Sequence, residues 1–243
     1  MKSAYREDLA YIHDAGFGHL ARAAAPVLLD ALAQAGLRRG RIAELGCGSG
    51  ISTRMLCDAG YSVVGWELSG PLIEIARRRV PEAELFASSF VDAPLPDCVA
   101  VTAIGEVLGY AFDPANDGAT RQRIFERVHR ALSSGGVFLF DMAGPERAPA
   151  AGRARSFVEG PDCAVLVEVE SDASRTLLTR RITSFRSQGD LFRRDVEVHR
   201  LMLVDPSEIV ESLERLGFVV RMLDRYGTEP LPPGLVAFLA RKP

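Results

Sequence analysis

Residues 44–50 read ELGCGSG, which sets three glycines at alternate positions directly after the strand-like run RIAEL. Glycine adopts backbone conformations that other residues avoid, and it lets a ligand lie against bare main chain. In an open α/β sheet such a turn falls between the first strand and its helix, at the carboxyl edge where these folds take their ligands. The chain must then supply a parallel sheet around that edge. Its first two thirds do so, alternating strand-like and helix-like segments.

After RIAEL, residues 49–60 carry apolar Ile51, Met55 and Leu56 and stop at Gly60, which predicts a helix. YSVVGWEL is the next strand, and SGPLIEIARRRV a helix with Ser69 as its N-cap and Pro71 near its first turn. AELFASS and CVAVTAI follow as strands. Residues 120–132 are predicted helical on a stripe of Ile124, Val128, Ala131 and Leu132, and SSGG ends that helix before the strand VFLFD. The pattern is that of a doubly wound α/β sheet.

Beyond Asp141 the grammar changes. PERAPAAGRARS reads as a loop, either a lid or a plain surface loop. CAVLVEVE, RTLLTRRITSF and LFRRDVEVHRLML are then three strands separated by SDAS and SQGD, an inserted antiparallel β meander. DPSEIVESLERLGF is a helix capped by Asp205, with Pro206 first and Gly217 last, burying Ile209, Val210, Leu213 and Leu216. FVVRMLDRYG and GLVAFLARKP close the chain as two strands. The expected organisation is one domain over 1–243, with an N-terminal helical cap over 1–38 and the lid loop and inserted strands over 145–204.

With 243 residues, 47% of them hydrophobic, the chain can bury one full core. A formal charge of −3 supplies no basic field for phosphates, so no nucleic acid is expected as a partner. The opening residues lack the apolar core of a signal peptide, and no apolar run is long enough for a membrane span. A cytoplasmic protein without a membrane partner is the expectation. Cys47, Cys57, Cys98 and Cys163 form neither a CxxC pair nor a disulfide framework.

The ligand is constrained by spacing and charge. A dinucleotide fingerprint reads G-x-G-x-x-G, whereas Gly46, Gly48 and Gly50 read G-x-G-x-G. Glu67 ends the second strand about twenty residues after the first glycine, where a carboxylate can accept from a ribose diol. Glu44 adds a negative charge just before the turn, which suits a cationic ligand better than a pyrophosphate.

ELGCGSG, Glu67 at the end of the next strand and the later SSGGVFLFD together resemble class I S-adenosylmethionine-dependent methyltransferases. The resemblance implies a Rossmann-like sheet of seven strands, mostly parallel with the last antiparallel. The meander is similar to what small-molecule N- and O-methyltransferases of this class carry over their substrate pocket. The implied cofactor is S-adenosyl-L-methionine, with Glu44, Gly46, Cys47, Gly48 and Gly50 along its methionine part. Glu67 would hold the ribose and Leu68 would flank the adenine. Where the family often has an acidic residue facing the adenine, this chain has Ser88 and Ser89, with Phe90 as a stacking candidate. Ile104 and Gly105 would lie under the cofactor and Glu106 at the reaction mouth. Tyr5 and Tyr11 would close over its carboxylate end, although Tyr5, Leu9 and Ile12 also make an ordinary packing stripe.

Methyl transfer needs orientation first, since good alignment supplies effective molarities of about 10⁵ M or more. A general base is required only if the acceptor must lose a proton. His13, Glu106, Tyr110 and His199 are the candidates. His13 faces either the pocket or solvent beside Asp14, Tyr110 the pocket or a loop, and His199 the pocket, solvent or a subunit interface. Glu106 has the most favourable location, at the sheet's carboxyl edge. The fourth strand lacks the N/D-P-P-Y/F sequence with which related enzymes present planar amides or adenine amines. No cluster of aspartates and asparagine marks a metal site, so no metal is expected. The leading reading is methyl transfer to an N or O nucleophile of a small molecule. A non-catalytic cofactor-binding protein that uses the meander for a partner, and an NAD(P)-dependent oxidoreductase, are the alternatives. The exposed strands of the insertion offer a homodimer surface.

Overall fold

The computed structural model describes residues 4–243. Helices α1 (Glu7–Gly16) and α2 (His19–Gln34) lead into β1 (Arg41–Leu45), α3 (Ile51–Asp58), β2 (Ser62–Glu67), α4 (Gly70–Arg79), β3 (Glu84–Ala87), β4 (Cys98–Ala103), α5 (Gly118–Ala131) and β5 (Leu132–Ala143). Four strands follow, β6 (Arg153–Glu159), β7 (Cys163–Ser171), β8 (Leu177–Gln188) and β9 (Leu191–Met202), then α6 (Pro206–Arg215) and β10 (Val219–Leu223). A short hairpin, β11 (Arg225–Tyr226) and β12 (Glu229–Pro230), precedes β13 (Leu235–Arg241).

The central sheet has seven strands in the order β10-β13-β5-β4-β1-β2-β3. Six run parallel, and β13 is antiparallel to both of its neighbours. Alternate residues of each strand feed two cores. Ala43, Leu45, Val101, Phe138 and Phe140 meet Ile124, Phe125 and Val128 of α5 and Leu213 of α6 on one face. Ile42, Val63, Ala100 and Leu139 meet Ala24, Leu28 and Leu32 of α2 and Leu56 of α3 on the other. Helices on both faces are what near-continuous apolar strands require.

The helix starts follow their side-chain chemistry. Ser69 Oγ accepts from Leu72 N at 3.2 Å at the head of α4, and Asp205 Oδ1 accepts from Ser207 N at 2.8 Å at the head of α6. Asp117 caps α5 through Thr120 N at 2.7 Å, so that helix begins earlier than its apolar stripe indicates. The SSGG segment does not separate α5 from the strand. It enters β5, with a register shift opposite residues 98–100.

The insertion is a separate four-stranded antiparallel sheet, ordered β6-β7-β8-β9, rather than three strands. The missed strand, RARSFVE, lies in the segment assigned to the lid loop. All of its residues are exposed, so it carries no one-sided apolar alternation. Its pairing with β7 is decorated by Arg153–Glu170 at 3.0 Å and Arg155–Glu168 at 2.8 Å. Leu178 and Leu201 of the insertion anchor it against Ala143 at the end of β5, and Ala111 N donates to Arg200 O at 2.9 Å. The meander thereby hangs over the carboxyl edge of the central sheet. Among the described residues no helix is long and apolar enough to cross a membrane.

Candidate functional site

β1 lies between β4 and β2, so the turns after these three parallel strands emerge side by side at one edge. The turn after β1 is tied to β2, because Gly46 N and Cys47 N both donate to Trp66 O, at 2.8 and 3.1 Å. Its glycines have different reasons to be glycine. Gly48 has φ +56°, and a Cβ built there meets no atom within 4 Å, only the cavity. Gly50 has φ +78°, and its Cβ would stand 3.1 Å from the Ala76 backbone of α4. The first leaves room for a ligand and the second for a helix.

Two carboxylates flank this turn, Glu44 buried and Glu67 half-buried. Glu44 accepts from Ser52 Oγ at 2.6 Å and from Thr53 Oγ1 at the start of α3. Burial pushes its pKa up, against the pull of those hydroxyls. Glu67, at the end of β2, accepts from Gly48 N at 3.0 Å and Ser69 N at 2.8 Å. Burial raises its pKa as well, against backbone N–H groups alone, and no cation pairs with it among the described residues.

The turn after β4 is built on Asp141. This fully buried carboxylate accepts from Gly105 N at 3.0 Å, Glu106 N at 2.5 Å and the Tyr226 hydroxyl at 2.9 Å. Burial still carries its pKa up to about 6. Glu106 is thereby held at φ +64°, a conformation that a non-glycine residue adopts only when its surroundings enforce it. Its side chain is clamped by Arg180, with Nη1 to Oε2 at 2.5 Å and Nη2 to Oε1 at 2.8 Å, and by Arg147 Nε at 3.2 Å. Burial alone would raise the Glu106 pKa, but the two guanidinium groups outweigh it and hold the carboxyl below its ordinary value.

The N-terminal segment closes the cavity from above. Tyr5 N and Arg6 N both donate to Glu197 of β9 at 2.8 Å, Arg6 pairs with Asp195, and Asp8 pairs with Arg193 and Arg186. Ser69 Oγ donates to Tyr5 O at 2.8 Å, so the same segment is fastened to the turn after β2. The Tyr5 hydroxyl lies 3.1 Å from that of Tyr110. His13 sits beside the Tyr5 and Phe17 rings with a buried Nδ1 that has no partner among the described residues. Burial lowers its pKa to about 4, so the ring is neutral at pH 7.

These groups surround one cavity of about 460 Å³. His13, Glu44, Gly46, Cys47, Gly48, Glu67, Leu68, Ser89, Phe90, Ile104, Gly105 and Glu106, all singled out in the sequence, line it, as do Tyr5 and Tyr110. Four others do not. Tyr11 donates to Asp162 at 2.8 Å, with the Arg186 guanidinium 3.8 Å above its ring, which binds it to the meander instead of a ligand. Gly50 packs on α4, and Ser88 is exposed beyond the end of β3. His199 is buried among Tyr5, Tyr110 and Phe112 with Nε2 3.0 Å from Glu197, so it braces the N-terminal segment from behind. Glu106 needs correction in role: doubly paired with arginine, it is no free base. Arg147, Arg180 and Asn116 also line the cavity and were missed. Arg147 stands in the segment read as a lid, and Arg180 in a strand whose inward face one sequence does not fix.

Residues 43–140 match the family described as "Methyltransferase domain". YqeM of Bacillus subtilis strain 168, whose name carries a provisional methyltransferase assignment, is 22% identical over 79% of this chain and 79% of its own length. Among solved structures, an S-adenosylmethionine-dependent methyltransferase from Clostridium acetobutylicum ATCC 824 superposes with a TM-score of 0.81 at 16% identity, over 96% of this chain and 97% of that one. The sugar N-methyltransferase KedS8 from Streptoalloteichus sp. ATCC 53650 gives a TM-score of 0.74 at 20% identity, over 96% and 92%.

Proposed function

We propose that this chain, a class I S-adenosylmethionine-dependent methyltransferase, transfers the cofactor's methyl group to a nitrogen or oxygen nucleophile of a small molecule. The observation that carries this reading is a single cavity of about 460 Å³ running from the glycine turn to the inner face of the meander, at Val165, Val167 and Ile182. A pocket of that size suits a small organic ligand. KedS8, a sugar N-methyltransferase, supports an amine as acceptor.

The residues present fit the cofactor. Gly48 offers open space where a side chain would stand, and Glu67 is a half-buried carboxylate with lone pairs left over after its two backbone bonds. Gly46, Cys47 and Gly48 would hold the methionine part and Glu67 the ribose hydroxyls, with Leu68, Ser89 and Phe90 around the adenine and Ile104 and Gly105 beneath. When bound, S-adenosylmethionine supplies a methyl group on positively charged sulfur.

The chain's own contribution is alignment and dryness. Asp141 fixes the turn that carries Glu106, and Glu106 in turn sets Arg180 and Arg147 toward the acceptor end. Tyr5 and Arg6, fastened to Glu197, keep water from the cavity roof. His13, neutral and with its Nδ1 sealed from solvent, adds an uncharged ring to the cavity wall beside Tyr5 and Phe17. Residues 145–204 form the acceptor side and residues 4–38 the cover.

Calorimetric titration with S-adenosylhomocysteine, with NAD and NADP in parallel, tests the cofactor. Turnover of amines and hydroxyl compounds with S-adenosylmethionine, read as homocysteine-nucleoside release and a gain of one methyl by mass spectrometry, tests the reaction. Micromolar binding of the first compound alone and at least one methylated amine or alcohol are expected. Binding without any methylated product supports a non-catalytic protein, and binding of a nicotinamide nucleotide instead overturns the cofactor fit.

A further inference from the structure

The acceptor end of the cavity holds more positive charge than the protein neutralises. Arg180 engages both Glu106 oxygens, and Arg147 Nε reaches only Oε1, the oxygen already bound by Arg180 Nη2. Two guanidinium groups therefore share one carboxylate. The side chains are withdrawn from water to different degrees, 9% exposed for Glu106, 13% for Arg180 and 27% for Arg147.

Among the described residues no other acid pairs with either arginine. Glu44 is bound by Ser52 and Thr53, Glu67 by Gly48 N and Ser69 N, and Asp113 Oδ1 by Ala115 N at 2.9 Å. Among the described residues neither arginine has an ion pair other than that with Glu106. Among the described residues the one further hydrogen bond of the Arg147 side chain is Nη1 at 3.5 Å from the Pro233 carbonyl, at the limit of a hydrogen bond. A half-buried guanidinium without its own anion is costly to keep, and its planar fork matches a carboxylate or phosphate.

Asn116 is a further polar residue in the lining of this cavity. Asn116 is 4% exposed, and its Nδ2 donates to Leu108 O at 3.2 Å and Tyr110 O at 2.7 Å. Those two carbonyls fix the amide orientation, since the flipped form would set oxygen against oxygen. Asn116 Oδ1 is then sealed from solvent and, among the described residues, has no donor.

We infer that the methyl acceptor is a small anion, an amine or alcohol carrying a carboxylate or phosphate group, with Arg147 pairing its oxyanion. This rests on the methyl-transfer reading. Arg180 and Glu106 are positioning residues, locked to each other so that Arg147 is the group left to the ligand. Carboxylate and phosphate are the same chemistry to a guanidinium, and the probes separate them.

The test uses the full chain saturated with S-adenosylhomocysteine. It is titrated calorimetrically with matched pairs, β-alanine against its amide and phosphoethanolamine against ethanolamine. At least one charged member is expected to bind about tenfold or more tighter than its neutral partner, a margin typical of one charge-assisted pair. In Arg147→Met that margin should fall below about twofold while the Kd for S-adenosylhomocysteine changes less than about threefold, and Arg147→Lys should retain part of the margin. Retained S-adenosylhomocysteine binding shows that the variants fold. Equal binding within both pairs, or no binding of either charged probe, overturns the inference. So does an Arg147→Met variant that loses affinity for S-adenosylhomocysteine, because the arginine then serves the cofactor's carboxylate. Failure of the wild-type chain to bind S-adenosylhomocysteine at all is seen before any probe is added and overturns the methyl-transfer reading instead.

Discussion

The two ends of the cavity are built in different ways. At the cofactor end, Gly46, Cys47, Gly48 and Glu67 lie on two adjacent parallel strands and their turns, and main-chain groups make most of the polar contacts. At the acceptor end, Glu106, Arg147, Arg180 and Asn116 come from a turn, a short loop, an inserted strand and another loop, and every polar contact between them is made by side chains. A backbone site needs a fixed spacing of small residues in one segment. A side-chain site needs only that remote segments meet, and it can change its residues while the fold stays the same.

The difference is sharpest at Gly48. Gly48→Val fills the space in which a Cβ meets nothing but cavity, and it should weaken S-adenosylhomocysteine binding by about a hundredfold or more, the cost of displacing a ligand from its main-chain contacts. Valine at φ +56° also carries a conformational cost of about 1–2 kcal/mol. Gly60→Val is the control, because Gly60 likewise has positive φ and an open Cβ direction but lies outside the cavity. Equal loss of affinity in both variants would assign the effect to backbone strain and remove Gly48 from the site.

That contrast also explains what the amino-acid sequence disclosed. The strand, turn and helix from 41 to 58 were legible because glycine spacing, apolar runs and an acid in register all sit within a few residues. The doubly wound sheet followed from repeats of the same pattern, and its count of seven strands from the family resemblance. RARSFVE was not legible as a strand, because an edge exposed on both faces leaves no alternation to read. Arg180 and Arg181 are neighbours of opposite facing. Arg180 reaches Glu106 while Arg181 stands 3.9 Å from Glu168 on the outer face, and one residue of register decides which is which. His199 shares a strand face with Asp195 and Glu197, as its period-two spacing predicts, but that face meets the N-terminal segment rather than the ligand space.

The cover over the cavity can be read through pH. Unfolded, His13 takes up a proton near pH 6.5, whereas the buried ring resists until about pH 4. The unfolded state therefore binds more protons in that window, and His13 costs stability as pH falls through it, at most about 2 kcal/mol by pH 5. Asp141 acts in the opposite sense: its folded pKa of about 6 lies above the ordinary 3.8, so protonation favours the folded state as pH falls between these values. Between about pH 4 and pH 6 the contributions of these two groups therefore oppose each other. His13→Gln removes one side of the balance. Denaturant unfolding of the ligand-free variant should show it gaining about 2 kcal/mol relative to wild type between pH 7.5 and pH 5. Parallel curves would mean that the ring protonates freely and is not withdrawn from water.

Glu67→Ala tests the carboxylate of the cofactor end. It removes an acceptor for the ribose hydroxyls and releases Gly48 N and Ser69 N together, so S-adenosylhomocysteine affinity should drop about tenfold. Adenine alone should lose much less than the nucleoside, since only the ribose is addressed. An equal loss for both would place the damage in the loop itself.

Tyr11→Phe should do least, and for that reason it separates the two ends most cleanly. Tyr11 was expected at the cofactor's carboxylate, yet its hydroxyl donates to Asp162 at 2.8 Å and its ring lies under Arg186, which also pairs with Asp8 of α1. Removing the hydroxyl leaves that ring contact and every cavity wall in place. The Kd for S-adenosylhomocysteine should stay within about twofold of wild type, because no lost bond faces the ligand. A tenfold loss would mean that α1 shifts on binding and brings Tyr11 into the cavity. The cofactor end would then need side chains from the N-terminal helix, and its description as a backbone site would be wrong.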